Sequence, residues 1–182
     1  LISGFAVGRI DELLLVLDKY GIDFPVYVDG MAKKAVTIIN QYRNLLKEPK
    51  GLDKALGKVE YVKDQAMRKR IIKQPGVILT TSGMLSGGPI QWYLSKLFDR
   101  QNCSLTLTGF QVEGTPGKTL LETGRFIADG IDVEVKMPVR KLDFSSHLGR
   151  TDLFQFINKL IPEKVFCVHG EHTEDFAREL KE

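Results

Sequence analysis

The sequence predicts an α/β protein with a mainly parallel sheet flanked by helices, and two observations support this fold class. Apolar segments of strand length alternate at least three times with segments of helical periodicity, which is typical of parallel strands connected by helices. Apolar residues make up 43% of the 182-residue chain, which is enough for a core and favours a folded over a disordered chain. After about residue 124 the pattern changes, and we expect two strands joined at Asp129-Gly130.

Local apolar spacing predicts the elements of the first two thirds of the chain. Ile10, Leu13 and Leu17 recur at helical intervals, which indicates an amphipathic helix over 8–20. Gly21 follows it and is typical of a helix end. The same reasoning predicts strands at 25–30, 58–62, 76–81 and 104–110, helices at 32–46 and 64–74, a turn-rich connector at 48–58, and a helix through 92–98.

The last part of the chain is expected to form a second structural unit. Pro138 is a suitable junction, since proline interrupts a sheet. Beyond it we predict a helix at 151–160, an apolar strand at 164–168 and a last helix at 172–181.

Charge and cysteine usage limit the classes of protein. A net charge of +3 permits an anionic partner without requiring one. Cys103 and Cys167 form no C-x-x-C pair, so we expect reduced, packed thiols in a cytoplasmic protein. No apolar run approaches the ~20 residues of a membrane span, and no secretory signal pattern occurs. The chain begins without methionine inside an apolar segment, which indicates a piece of a longer polypeptide.

The glycine-rich stretch TTSGMLSGGP at 80–89 separates an apolar strand from a helix. Ligands of open parallel sheets bind at the carboxyl ends of the strands. Glycines let the backbone approach an anion closely, and Ser82 and Ser86 add hydroxyl donors. The stretch contains neither a Walker loop nor G-x-G-x-x-G. A tight turn that binds nothing explains the pattern equally well.

Glu113 follows the next apolar strand, in TGFQVEGTPGK at 108–118. A carboxylate at a strand end can orient a histidine or accept a proton. A glutamate that caps the following turn is the simpler explanation of the residue alone.

The three histidines all lie near the end of the chain. His147 stands before a predicted helix, where a histidine can titrate near neutrality or bind an anion. His169 ends an apolar segment, a common position for a metal ligand, although a hydrogen bond to the backbone explains it too. His172 is expected to be an exposed helix-start residue. No H-E-x-x-H, H-x-H or zinc-finger spacing occurs, so most ligands of any catalytic metal must come from elsewhere.

Six stretches taken in order resemble one family. They are FAVGRIDELL, PVYVDGMA, ILTTSGMLSGGP, TGFQVEGTPGK, FSSHLGRTD and VHGE. With them the sequence is similar to the β-CASP branch of the metallo-β-lactamase nucleases, which includes the cleavage-and-polyadenylation endonuclease, ribonuclease J and archaeal relatives. The resemblance implies a β-CASP domain at 1–140 and, at 141–182, the C-terminal segment of a metallo-β-lactamase αββα fold.

The resemblance also implies roles for single residues. Glu113 matches the acidic catalytic motif, and His147 matches a histidine that assists proton transfer to the leaving oxygen. His169 matches a zinc ligand of the RNA-processing members, whereas DNA-processing members carry valine there. Arg9 and Glu12 match a structural, cleft-shaping pair. The residues that match the RNA path are Ser82, Gly83, Ser86, Gly87, Gly88, Ser145 and Ser146.

One departure from the family is large, because its His-x-His-x-Asp-His metal motif is absent. We therefore expect a zinc-dependent ribonuclease with two zinc ions as the intact parent, and an incomplete metal site and no activity in this chain alone. The expected partners are RNA and, since family members often dimerise, a second copy of the chain. The main alternative is an RNA-binding or dimerisation module that uses 82–88 and the basic helix at 64–73. An α/β ligand-binding domain unrelated to RNA is a further alternative.

Overall fold

The computed structural model describes residues 1–144, 148–170 and 172–180, and it divides into two units, Leu1–Phe144 and Ser145–Glu182. The strands of the first unit are β1 Ile2–Ser3, β2 Val26–Val28, β3 Val59–Tyr61, β4 Val77–Thr80, β5 Leu105–Leu107, β6 Arg125–Ala128, β7 Ile131–Glu134 and β8 Val139–Lys141. Its helices are α1 Arg9–Lys19, α2 Met31–Gln41, α3 Pro49–Leu56, α4 Gln65–Ile71, α5 Pro89–Leu97 and α6 Pro116–Thr123. The second unit contains α7 Arg150–Leu160 and α8 Thr173–Glu179.

The predicted mainly parallel α/β fold is confirmed. Six strands form one sheet in the order β3-β2-β4-β1-β5-β8, and all five neighbouring pairs are parallel. The remaining two strands, β6 and β7, form an antiparallel hairpin. Its turn, Asp129-Gly130, has positive φ at both residues, as a two-residue hairpin turn requires.

Two buried apolar clusters cover the two faces of the sheet. Alternate residues of a strand point to opposite faces, and accordingly Leu79 joins one cluster and Ile78 the other. The first cluster receives buried side chains from α1, α2 and α3, and the second from α4, α5 and α6. The sheet is therefore flanked by helices on both faces.

Several element predictions were wrong in detail. The connector predicted at 48–58 is the helix α3, because Pro49 suits the first helical position and Leu52 and Ala55 are buried. The helix predicted at 32–46 ends at Gln41 and is followed by a single 3₁₀ turn. Helix α6 had not been predicted; Thr115 caps it by accepting a hydrogen bond from the Lys118 N–H.

The strand predicted at 164–168 does not form in the described second unit. A strand needs a hydrogen-bonding neighbour, and the described residues of this unit contain no strand to supply one. Val165, Phe166 and Val168 are exposed as a result.

The described residues of the second unit share no buried core. Its two helices contact each other through Phe154 and Phe176, whose ring centroids lie 5.0 Å apart. Arg150 stacks on the Phe154 ring and pairs with Glu179. In neither unit is any described helix long and apolar enough to cross a membrane.

The predicted junction at Pro138 lies inside the first unit. The Pro138 carbonyl accepts a hydrogen bond from the Leu105 N–H at 2.9 Å. Strand β8, which begins at the next residue, pairs with β5. The change between compact units comes after Phe144. The family-based boundary between 140 and 141 stays a prediction.

A buried carboxylate connects three elements of the first unit. Asp29, at the end of β2, is fully buried and accepts hydrogen bonds from Arg68 Nε of α4 at 2.6 Å and from Tyr93 Oη of α5 at 2.9 Å. The Gly30 N–H donates to it at 2.6 Å. Burial alone would raise the pKa of Asp29, but the hydrogen bonds from Arg68, Gly30 and Tyr93 outweigh burial and hold that pKa below 3.8.

We predict that Asp29→Asn destabilises the chain by about 3–5 kcal/mol, because it leaves the Arg68 charge without its buried partner. The control is Asp132→Asn, which removes the exposed ion pair with Arg125 and should cost less than about 1 kcal/mol. Urea unfolding at neutral pH measures both.

The same network makes stability depend on pH. Because the folded-state pKa of Asp29 is lowered, its stabilising effect is complete above the ordinary value of 3.8 and is lost as the pH falls through the lowered pKa. Asp29→Asn should therefore unfold with a weaker acid dependence than the original chain. An unchanged acid dependence, or equal effects of the two variants at neutral pH, would contradict the assignment.

Candidate functional site

Four neighbouring parallel strands end at one edge of the sheet, which we call the carboxyl edge. Hydrogen bonds connect their ends: Gly4 N–H donates to Thr80 at 3.1 Å, and Thr108 N–H donates to Ser3 at 3.1 Å. Several polar residues are buried at the carboxyl edge, although burying a polar group is unfavourable unless it is hydrogen-bonded. They are Ser3, Asp29, Thr80, Thr81 and Thr108.

The glycine loop, residues 81–88, follows β4 at this edge. At two positions of this loop the surrounding structure requires glycine. A Cβ at Gly83 would lie 3.2 Å from the backbone of Gly4 and of Phe5. Gly88 has a φ of +78°, and a Cβ there would lie 2.9 Å from the Thr81 carbonyl oxygen. Gly87 has open space around it, so the fold does not explain that glycine.

Several donors of the glycine loop remain available. The backbone N–H groups of Ser86, Gly87 and Gly88 make no hydrogen bond within the described residues. The Ser82 hydroxyl is buried and has no partner there either. Successive free N–H groups are a typical anion site, and an orphaned buried hydroxyl is unfavourable until a ligand satisfies it.

Gln111 fixes the glycine loop to the loop that carries Glu113. Its Nε2 donates to the carbonyl oxygens of Gly83 at 3.0 Å and Gly109 at 3.1 Å. The Gly117 N–H, in α6, donates to the Met84 carbonyl at 3.0 Å. Sequence reasoning missed Gln111, since a lone glutamine after a strand carries no motif signal.

Glu113 lies exposed between β5 and α6. Its side chain is 70% exposed, and its nearest cation is Lys118 Nζ at 3.6 Å. Thr115 caps α6, so the simpler explanation of Glu113 as a cap does not hold. The carboxylate is free to accept a hydrogen bond or a proton from a ligand, and its catalytic role stays a prediction.

Arg9 and Glu12 form an ion pair in the first turn of α1. Arg9 is buried, and its guanidinium lies 5.5 Å from the Phe144 ring centroid. A Cβ added to Gly4 would lie 3.2 Å from Arg9 Cγ, which places Arg9 at the carboxyl edge. The pair predicted to shape the cleft is therefore formed, although its functional role stays a prediction.

The predicted metal and acid residues are only partly described. Ser145, Ser146 and His147 lie outside the described residues. His169 is exposed, with a φ of +62°, between α7 and α8. His172 is exposed as expected, 3.7 Å from Asp175. No group of three or more His, Cys, Asp or Glu side chains in the described residues could hold a metal ion, so these residues alone do not make a zinc site.

Comparisons with known proteins match both parts of the chain. The family model of the Beta-Casp domain matches residues 10–120. The Zn-dependent metallo-hydrolase RNA specificity domain matches residues 132–182.

Curated archaeal relatives match almost the whole chain. The Probable RNase MJ4 of Methanocaldococcus jannaschii is 37% identical over 96% of this chain and 42% of its own length. The RNase aCSPSF2 of Saccharolobus solfataricus is 37% identical over 93% and 34%. The Transcription termination factor FttA of Methanococcus maripaludis is 36% identical over 94% and 31%. The chain thus spans less than half the length of these relatives. Since the Beta-Casp model covers more than half of it, the chain belongs to the β-CASP family of metallo-β-lactamase RNA nucleases.

Proposed function

We propose that this chain is the β-CASP domain, 1–140, and the C-terminal metallo-β-lactamase segment, 141–182, of a zinc-dependent ribonuclease that hydrolyses RNA phosphodiester bonds. The observation that carries the proposal is the second unit, which presents His169 beside apolar side chains and has no core among its described residues. Such a segment needs another surface to complete both its fold and its metal site. The names of the relatives as RNases support RNA as the substrate.

The exposed apolar side chains of the second unit indicate how much surface is to be covered. Ile161 is 84% exposed, Phe166 83% and Val168 78%. Burying each side chain would contribute about 1.5–3 kcal/mol. We propose that the remainder of the metallo-β-lactamase domain covers them and that 164–168 pairs with one of its strands.

The family is zinc-dependent by description, and the finer proposal is a site for two zinc ions. Zinc, when bound, supplies Lewis-acid polarisation and an activated hydroxide. A catalytic site needs about three protein ligands per zinc ion. Of these, the described residues of this chain contribute His169. By the family resemblance, His147 is proposed as the general acid, oriented by a neighbouring carboxylate, and Glu113 as a further catalytic residue.

The glycine loop is proposed to hold the RNA backbone. Its free N–H groups at 86–88 and the Ser82 hydroxyl match the acceptor oxygens of a phosphate. Ser145 and Ser146 are proposed on the same path. A cytoplasmic location agrees with the free thiols of Cys103 and Cys167.

A second candidate is an RNA-binding or dimerisation module without catalysis. The exposed apolar face of the second unit favours it, because a second copy of the chain could cover that face. Cleavage by the complete protein separates the two: RNA cleavage that EDTA abolishes supports the first proposal, and RNA binding or dimerisation without cleavage supports the second.

In the complete protein, His169→Ala should lower RNA cleavage by about 100-fold or more, since loss of a metal ligand costs at least as much as loss of its outer partners. The matched control is His172→Ala, three residues further on, which should keep both activity and zinc content. Cleavage rate and bound zinc are measured together. A His169→Ala protein with unchanged zinc content and rate would exclude the ligand role.

We predict that the 182-residue chain by itself shows no EDTA-sensitive RNA cleavage, because its described residues provide no cluster of metal ligands. Calorimetric titration with zinc and a cleavage assay with and without EDTA check this. Cleavage that EDTA abolishes would show that the chain holds a working metal site.

Gly87→Ala should weaken binding of an oligoribonucleotide by about tenfold, equivalent to about 1.4 kcal/mol, and leave stability unchanged. The reason is that a Cβ at 87 meets no protein atom but occupies space that a phosphate would use. Gly57→Ala, at the end of α3 with ordinary contacts of 3.5 Å, is the control. Fluorescence anisotropy measures the affinity. An unaltered affinity of Gly87→Ala for the oligoribonucleotide would favour the alternative that the glycine-rich stretch is a tight turn without a ligand.

A further inference from the structure

A groove opens beside the outermost strand of the sheet, between β3 and α4. It has a volume of about 610 Å³ and is lined by Tyr61, Lys63, Met67 and Arg70, together with Glu60, Asp64 and Ala66. We propose that this groove is a second RNA contact. Tyr61 and Met67 would hold a base, and Lys63 and Arg70 would hold the phosphates beside it. The inference rests on the proposed function, in that RNA is the substrate.

The charge around the groove supports an anionic partner. Residues 58–73 carry six basic and two acidic side chains, a net charge of +4, whereas the whole chain carries +3. Asp29 neutralises Arg68, and Asp18 neutralises Lys58. Within 58–73, the exposed basic side chains that form no ion pair with the described residues are Lys63, Lys69, Arg70 and Lys73.

This net charge does not come from the groove lining itself, where Glu60 and Asp64 balance Lys63 and Arg70. The Asp64 carboxylate accepts the Met67 N–H at 2.8 Å and caps α4. Glu60 lies in the middle of β3, one residue before the strand ends. With Lys58 and Arg68 paired, the remaining excess of positive charge in 58–73 comes from Lys69 and Lys73.

The groove also offers a surface for a base. Tyr61 lines the groove and is half-buried, packing against the cluster of α1, α2 and α3. Met67 lines the groove from the other face of the sheet, where it packs against the cluster of α4, α5 and α6. Burial raises the pKa of the Tyr61 phenol, which keeps the side chain uncharged beside a phosphate. An aromatic ring among basic side chains is the arrangement that binds single-stranded nucleic acid. A peptide that adds to β3 is less well matched, because β3 has only three residues and the segment 58–73 around it is basic.

A series of contacts along the carboxyl edge connects the groove to the glycine loop. Arg68 of α4 donates to Asp29 at the end of β2. A Cβ at the adjacent Gly30 would lie 2.7 Å from Thr81 Oγ1, at the start of the glycine loop. Strands β3, β2 and β4 are neighbours, so the two sites are separated by roughly 10 Å along the edge. One RNA strand laid across the edge contacts both.

The test uses the 182-residue chain and a labelled oligouridylate of about 12 nucleotides, long enough to cover both sites. The variant Lys63→Ala/Arg70→Ala removes the two phosphate contacts. Its charge-matched control is Lys47→Ala/Lys50→Ala, which removes two exposed lysines that form no ion pair in the described residues. Gly87→Ala reports on the glycine loop independently. Fluorescence anisotropy is recorded over a range of salt concentrations, and urea unfolding confirms that each variant is folded.

We expect Lys63→Ala/Arg70→Ala to bind about tenfold or more weakly and to lower the salt slope by about 1.4, or ~0.7 for each lost contact. The control should bind within twofold of the original chain. One outcome would overturn the proposal that the groove binds RNA and leave the proposed function standing. In that outcome Lys63→Ala/Arg70→Ala binds as well as the control, while Gly87→Ala binds more weakly. No binding by the original chain would overturn both.

Discussion

The buried carboxylate of Asp29 is the interaction on which the arrangement of the carboxyl edge depends. It lies where β2 ends and receives hydrogen bonds from α4 and from α5, two helices on one face of the sheet. A buried charge is tolerated only when it is fully paired, so these helices must keep their positions relative to the strand. Helix α5 begins directly after the glycine loop. The same contact therefore fixes both the loop and the groove.

Close contacts at two glycines complete the edge. Gly30 packs against Thr81, and Gly83 packs against Gly4 and Phe5. Gln111 then holds the glycine loop to the loop that carries Glu113. A surface made of fixed N–H groups and small residues can approach a phosphate backbone closely without rearrangement. We infer that the first unit binds RNA with a preformed edge, whereas the second unit contributes His169 to chemistry that depends on the rest of the protein.

Much of this could be predicted from the sequence, because the apolar pattern of strands such as Val77–Thr80 is strong and local. The hairpin turn at Asp129-Gly130 was also predictable from its two residues. Helix α3 was not, since glycine and proline in 48–58 resemble a connector until Leu52 and Ala55 are seen to be buried. The strand predicted at 164–168 does not form, for the opposite reason. Its sequence favours a strand, but pairing depends on a neighbouring strand that the described second unit does not supply.

The residues of the site show the same division. The glycine loop and Arg9 are recognisable from local sequence, and the structure places both at the carboxyl edge. Asp29, Arg68 and Tyr93 are far apart in the chain and carry no shared motif, so only the fold brings them together. Gln111 was missed for the same reason, and of the groove between β3 and α4 only the basic helix at 64–73 was predicted. Local patterns identified the loops of the edge but not the interactions that position them.

The central claim, that the carboxyl edge of the first unit is one continuous RNA-binding surface, is tested most directly by hydrogen–deuterium exchange with and without an oligoribonucleotide. The account predicts slower exchange at 61–70 and 82–88 when RNA is added, and unchanged exchange at 20–25 and 72–76, which precede β2 and β4 at the opposite edge. Protection confined to 20–25 and 72–76, or absent from 61–70 and 82–88, would contradict it.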